Sequence, residues 1–246
     1  MTIGLHGGRY YAKREDPIGE RTRIEIASGV AWLTLDDGKV NALSVEMLGE
    51  IAGALDAAEA AGAVVVVRGR DGMFSAGFDL KTFRKGPAET VAMLRAGADV
   101  IVRLLSFPRP VLTVCTGHAY PAGAFLMMSA DVRFCIDGPW RIGMNEVAIG
   151  LTMPHFAIEL ARHRLTAPGF ARLTTGALFP PDEARNFGYV DRIVAAGQAD
   201  AAIHAEVERL LALDMPSFVA TKARVNGHAV QAIREAVAAE MAIVAA

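Results

Sequence analysis

The run Gly62-Ala63-Val64-Val65-Val66-Val67, closed by Gly69 and followed by Phe74-Ser75-Ala76-Gly77-Phe78-Asp79-Leu80, decides the fold class of this chain. Its β-branched residues do not alternate with polar ones, which is the pattern of a strand covered on both faces, as in a parallel sheet flanked by helices. The glycine turn behind it sits at the C-terminal end of that strand, where α/β proteins place their sites. Just upstream, Ser44 stands where it can cap a helix whose Met47, Leu48, Ile51 and Leu55 recur at helical spacing.

Working outward, the plan repeats. A helical pattern over 89–105 is stopped by Phe107-Pro108-Arg109-Pro110. A second buried strand, 111–115, leads to a second glycine turn, Gly117-His118-Ala119-Tyr120-Pro121-Ala122-Gly123. A helix over 122–128 and a third strand over 131–136 follow. Before the first cycle, 23–35 alternates apolar and polar residues about Ser28-Gly29 and reads as a hairpin. After Val194 three helical stretches, 199–213, 217–226 and 229–245, come without strands. The reading is an α/β core over 1–196 and a helical region over 197–246, with the boundary near Gly197.

Composition narrows the function classes. The chain is 52% hydrophobic with 24 Gly but only 7% aromatic, which favours a helix-rich α/β protein over a β-sandwich. A formal net charge of −2 argues against nucleic acid as a partner, and the arginines from Arg9 to Arg23 are interrupted by Glu15, Asp16 and Glu20, as in a solvated arm. Cys115 and Cys135 form no CxxC and have no clustered histidines, so they read as buried apolar thiols and no metal site is expected. Nothing near Met1 has the form of a signal peptide, and no stretch approaches the ~20 apolar residues of a membrane span. The expectation is a cytoplasmic protein without a membrane partner.

The chemistry is carried by the two glycine turns and a third segment, Gly143-Met144-Asn145-Glu146. Glycine lets a backbone approach a ligand closely, so two such turns can aim main-chain N–H groups at one oxygen and form an oxyanion hole. Donors of this kind stabilise charge that develops in the transition state. With one carboxylate beside them, the combination points to proton abstraction next to a carbonyl.

At these segments the chain resembles the crotonase, or enoyl-CoA hydratase/isomerase, superfamily. Within it the narrower likeness is to the mitochondrial-type Δ3,Δ2-enoyl-CoA isomerases, through Pro121-Ala122-Gly123, Ile142-Gly143-Met144-Asn145-Glu146 and Leu178-Phe179-Pro180-Pro181-Asp182-Glu183-Ala184. The resemblance implies a spiral of repeated ββα units, a C-terminal helical trimerisation region, and a homotrimer or dimer of trimers acting on an acyl-CoA thioester, with no cofactor beyond the coenzyme A of the substrate. It assigns the oxyanion donors to the N–H groups of Phe78 and Ala122, the base to Glu146, and substrate contacts to Ala42, Ala76, Gly77, Asp79, Leu80, Gly123 and Phe125.

Hydratases of the superfamily use two glutamates, at the positions of Phe125 and Glu146 here. Only the second is kept, which implies isomerisation of 3-enoyl-CoA to trans-2-enoyl-CoA by one shuttling base. Hydration, thioester hydrolysis and non-catalytic binding of a CoA thioester are the alternatives. Five residues carry further expectations. Asp79 should cap the helix after the first turn, and Asn145 should make a local turn rather than orient Glu146. His155 is the candidate second base, and Lys39 and Lys222 are candidate phosphate contacts. Ile203, Val207, Leu210 and Leu211 follow a core that reads as complete, so the C-terminal segment is expected to pack on neighbouring subunits.

Overall fold

The computed structural model describes residues 16–17 and 19–244, which leaves the arginines before residue 16 and the end of the last helical stretch outside the described residues. The chain opens with β1 (Asp16–Pro17), β2 (Thr22–Ala27) and β3 (Val30–Leu35), successive antiparallel neighbours. Ser28 and Gly29 both take positive φ, 52° and 78°, which a two-residue hairpin turn needs if its twist is to match the strands it joins. Next come β4 (Ala42–Leu43), α1 (Val45–Ala60) capped by Ser44, and β5 (Val64–Arg68).

The spiral then builds. After β5 the chain adds β6 (Gly72–Ser75), β7 (Gly77–Phe78), α2 (Leu80–Phe83) and α3 (Pro87–Ser106). The next turn is β8 (Val111–Cys115), β9 (Gly117–Ala119) and α4 (Pro121–Met128); β10 (Val132–Ile136) begins another. The rest is α5 (His155–Arg164), α6 (Ala167–Ala171), α7 (Pro181–Phe187), β11 (Arg192–Val194), α8 (Ala199–Leu211) and α9 (Met215–Val244). The main sheet has the order β1-β2-β3-β5-β8-β10-β11 and is parallel from β3 onward.

Each long parallel strand is followed by a short one that pairs with its counterpart in the next turn. Thus β6 pairs with β9, Ala119 of β9 bridges to Ile142, and Ile142 bridges to Phe179. The site segments 74–80, 117–123 and 143–146 come directly after or within these short strands, in three successive turns. This is the ββα spiral the resemblance implied, and it is why segments far apart in sequence meet.

The two faces of the sheet explain the unalternating run 63–67. Val65 and Val67 join the large core with α1, α3 and α4, while Val64 and Val66 face a second cluster with Leu112, Val114 and Phe134. Ile203, Val207 and Leu210 of α8 cover that second face. The C-terminal segment therefore completes its own chain's core, contrary to the expectation that the core stood without it. Likewise α9 lies along α3 and α5 and sends Val230 and Ile233 into the main core.

The stretches 217–226 and 229–245 are also one helix through the described residues rather than two. A mid-helix glycine costs about 1 kcal/mol relative to alanine, too little to break a helix held by packing. Asn226 holds it by donating to the Leu105 carbonyl at 2.8 Å, and Lys222 by pairing with Asp131 at 2.7 Å. No helix among the described residues is long and apolar enough to cross a membrane.

Candidate active site

The first turn is set from below by a buried polar network. Asn41, with φ 52°, donates through Nδ2 to the carbonyls of Leu35 (2.8 Å) and Phe74 (3.1 Å), and its Oδ1 accepts from the Asp37 N–H at 3.0 Å. Asp37 accepts in turn from the N–H groups of Lys39, Asn41 and Ala42. Burial works to raise its pKa, but those N–H bonds outweigh it and hold the carboxyl below its ordinary value. Ser75 closes the network: its Oγ donates to the Asn41 carbonyl at 2.7 Å and accepts from the Gly77 N–H at 3.1 Å. Sequence reading missed Ser75, because a serine inside a short strand carries no signal until its partners are known.

The second turn lies against the first. Tyr120 donates its N–H to the Ser75 carbonyl at 3.0 Å. A β-carbon on Gly123 would lie 2.5 Å from the Ser75 carbonyl oxygen, so only glycine permits this approach. Gly77 has φ 89°, and a β-carbon there would lie 3.2 Å from the Ala122 nitrogen. The main chain at Gly77–Phe78 and the N-terminal amides of α4 are thus immediate neighbours. No side chain caps α4, so its N-terminal end keeps unpaired donors and partial positive charge.

The Phe78 side chain finds its room against α3. A β-carbon on Gly97 would meet the Phe78 ring at 2.6 Å, so Gly97 vacates the space. The ring also meets Phe125 edge to face, 6.4 Å between centroids, and Phe125 packs likewise on Phe156 at 6.1 Å. Phe125 is 1% exposed and stands behind Phe78 as apolar packing.

Glu146 opens a tight turn in which its own carbonyl accepts from the N–H groups of Ile149 (3.0 Å) and Leu151 (2.9 Å). Its side chain is 4% exposed, and neither carboxylate oxygen has a hydrogen-bond partner among the described residues. Desolvation raises its pKa to about 7, with a small opposing contribution from its own backbone. The buried Tyr189 phenol is pushed up too, by burial first and then by the nearby Glu146 charge.

Ala76, Phe78, Leu80, Tyr120, Pro121 and Glu146 lie together on the wall of a cavity of about 440 Å³. Ala42, Gly77 and Gly123 shape the backbone behind that wall: Ala42 pairs with Gly77 across β4 and β7. Asp79 caps α2, accepting from the Lys81 N–H and the Thr82 hydroxyl.

Four expectations change. His155 is exposed and is not on the cavity wall, and its main-chain N–H donates to Glu240. Lys222 is 6% exposed and paired to Asp131, and burial draws its pKa down, so it is a structural ion pair rather than a phosphate contact. Asn145 makes no local turn through its carbonyl: that Oδ1 is buried, unpartnered and on the cavity wall. The fourth is the single carboxylate, since Glu240 of α9 joins Glu146 on the same wall. Nothing in the helical pattern near residue 240 marks it, because its place depends on α9 running unbroken past Gly227 and lying on α5.

The chain is similar to known proteins at moderate identity. Human mitochondrial enoyl-CoA delta isomerase 1 is 27% identical over 205 residues, covering 81% of this chain and 68% of the relative. A probable enoyl-CoA hydratase of Bacillus subtilis is 30% identical over 189 residues, covering 74% of this chain and 71% of the relative. The solved structure of an enoyl-CoA hydratase/isomerase family protein from Pseudomonas syringae superposes with a TM-score of 0.88 at 36% identity, over 91% of this chain and 97% of the other. The enoyl-CoA hydratase/isomerase model matches residues 25–245, a span that takes in most of the hairpin, all three site segments and α9. With the parallel part of its sheet, its paired turns and its α8 and α9 helices all inside that match, the chain belongs to the enoyl-CoA hydratase/isomerase family and has the crotonase fold.

Proposed function

We propose that the protein isomerises 3-enoyl-CoA to trans-2-enoyl-CoA. The observation that carries this reading is the pairing of an unpartnered, buried Glu146, held at about pKa 7, with a Phe125 packed between Phe78 and Phe156 where a hydratase would place its second acid. In the mechanism the thioester oxygen lies at the N–H groups of Phe78 and Ala122. Glu146 removes a proton from C2, the electrons pass into a dienolate whose oxygen those amides stabilise, and the same carboxyl returns the proton at C4. The double bond moves from C3–C4 to C2–C3. The step is redox-neutral, so the reading calls for no cofactor other than the coenzyme A of the substrate.

A carboxylate with pKa near 7 is half ionised at neutral pH and strong enough to take a proton acidified by an oxyanion hole. The apolar wall of Phe78, Leu80 and Phe83 lowers the local dielectric and so strengthens that electrostatic stabilisation. Hydration is the second reading, and Glu240 is the observation that favours it. Turnover of matched 3-enoyl-CoA and 2-enoyl-CoA thioesters separates the two: rapid isomerisation with little hydration is expected, and efficient hydration of crotonyl-CoA would overturn the assignment.

We further propose a homotrimer or dimer of trimers, supported by exposed Leu211, Val219 and Val225 on α8 and α9. Light scattering coupled to size exclusion tests it, and a stable monomer at micromolar concentration counts against it.

A further inference from the structure

The cavity wall carries three buried acceptor groups without partners: both oxygens of Glu146, Oδ1 of Asn145 and Oε2 of Glu240. Proton transfer in the proposed reaction accounts for Glu146. It does not account for the other two. Glu240 is fixed in place, because its Oε1 accepts the His155 N–H at 3.2 Å where α5 begins. Its second oxygen is left as an acceptor.

Of the other polar side chains on the wall, Thr152 is exposed to solvent and Tyr120 adds no free donor. His118 Nδ1 accepts the Arg141 N–H at 3.0 Å, so the Tyr120 hydroxyl, 3.1 Å from the same nitrogen, gives its proton there. Around these groups the wall is apolar, with Phe78, Phe83, Leu94 and Ile149. A plain hydrocarbon chain has no O–H or N–H to offer, and a buried acceptor left without a donor destabilises the complex that contains it. A chain bearing a hydroxyl satisfies the site instead.

We infer that Glu240, with Asn145 on the same cavity wall, is a specificity-determining residue that selects acyl-CoA thioesters whose acyl chain carries a hydroxyl beyond the reacting carbons C2 to C4. This rests on the proposed reading of the cavity as a thioester site. It names the class of acyl group that the site prefers.

The test uses saturated acyl-CoA thioesters of short and medium chain length, each as the plain compound, the chain-terminal alcohol and its methyl ether. Calorimetric titration of the intact protein gives affinities that do not depend on turnover. At the matching length the alcohol should bind ~10-fold tighter than the plain chain or the ether, which accepts but cannot donate. Glu240→Gln keeps an acceptor for the His155 N–H but turns an amide N–H towards the ligand, so the alcohol-to-ether ratio should fall to within about threefold of unity. Glu240→Leu should remove the preference altogether.

No preference for the alcohol at any length overturns the inference, as does a preference that survives both substitutions. Glu240-dependent hydration of a 2-enoyl-CoA also overturns it, by making water the partner of Oε2. Isomerisation of 3-enoyl-CoA, assayed in parallel, keeps the two readings apart. Preference without isomerisation removes the proposed reaction alone, and isomerisation without preference removes the role of Glu240 alone.

Discussion

Asn41 and Glu146 are buried to nearly the same degree, 0% and 4% exposed, yet their surroundings are opposites. Asn41 spends its side-chain amide on Leu35, Phe74 and Asp37, and Ser75 completes the set. Among the described residues Glu146 has no hydrogen-bond partner for either oxygen, and Asn145 and Glu240 on the same cavity wall leave an acceptor each unpaired. Satisfied buried polar groups fix one backbone geometry, while unsatisfied ones raise the free energy of the fold and wait for a ligand. The first region holds the Gly77–Phe78 turn still, and the second is where chemistry can occur. Stability and reactivity thus fall to different sets of buried polar groups.

The sharpest way to break this contrast is Glu146→Gln. The substitution keeps shape and removes the base, so isomerisation should fall by ~10³–10⁴ while acyl-CoA affinity changes by less than about tenfold. Deuterium exchange at C2 of a bound thioester should fall with it. Exchange at the native rate would make Glu146 a structural acid and transfer the base role elsewhere.

Stability should move in opposite directions for the two regions. The folded pKa of Glu146 is raised from 4.5 to about 7, so the fold favours the protonated form. Below the unfolded value there is no penalty; stability is lost as pH rises from about 4.5 to about 7, and the whole penalty is present above that. Glu146→Gln should therefore stabilise the protein by up to about 3 kcal/mol at pH 8 and hardly at all at pH 4. Asn41→Ala leaves two buried carbonyls and the Asp37 N–H without partners and should cost roughly 3 kcal/mol or more. Urea unfolding at both pH values reads each change, and a destabilised Glu146→Gln at pH 8 would refute the account of the unpaired carboxylate.

A smaller effect probes the turn from its apolar side. Gly97→Ala places a methyl group against the Phe78 ring, and moving that residue shifts an oxyanion donor, so kcat should fall on the order of tenfold with little change in fold. An unchanged kcat would mean the ring yields without moving its backbone.

The mildest test changes only pH. With Glu146 acting as a base, kcat/KM for the wild-type protein should rise tenfold per unit to a plateau with an apparent pKa of about 7. A flat profile between pH 5 and 8 would remove Glu146 from that role.

Much of this was legible from the chain alone. The unalternating valines after Gly62, the Ser44 cap and the repeated strand, turn and helix plan are local patterns, and local sterics with burial are enough to specify them. The two glycine turns and Glu146 were legible for the same reason, since glycine demand at a close approach shows in sequence as an otherwise costly residue. The remaining features depend on contacts between residues far apart in the chain.

Periodicity could not say whether 203–210 covers its own sheet or a neighbour's, because both use the same apolar stripe. It could not carry α9 across Gly227, because the bonds to Leu105 and Asp131 that hold the helix there come from residues about a hundred or more positions earlier. Lys222 read as a surface cation until that pairing was seen. Glu240 read as one more polar residue on a long helix, and it becomes part of the site only because α9, lying on α5, brings it to the His155 N–H and to the cavity that Glu146 occupies.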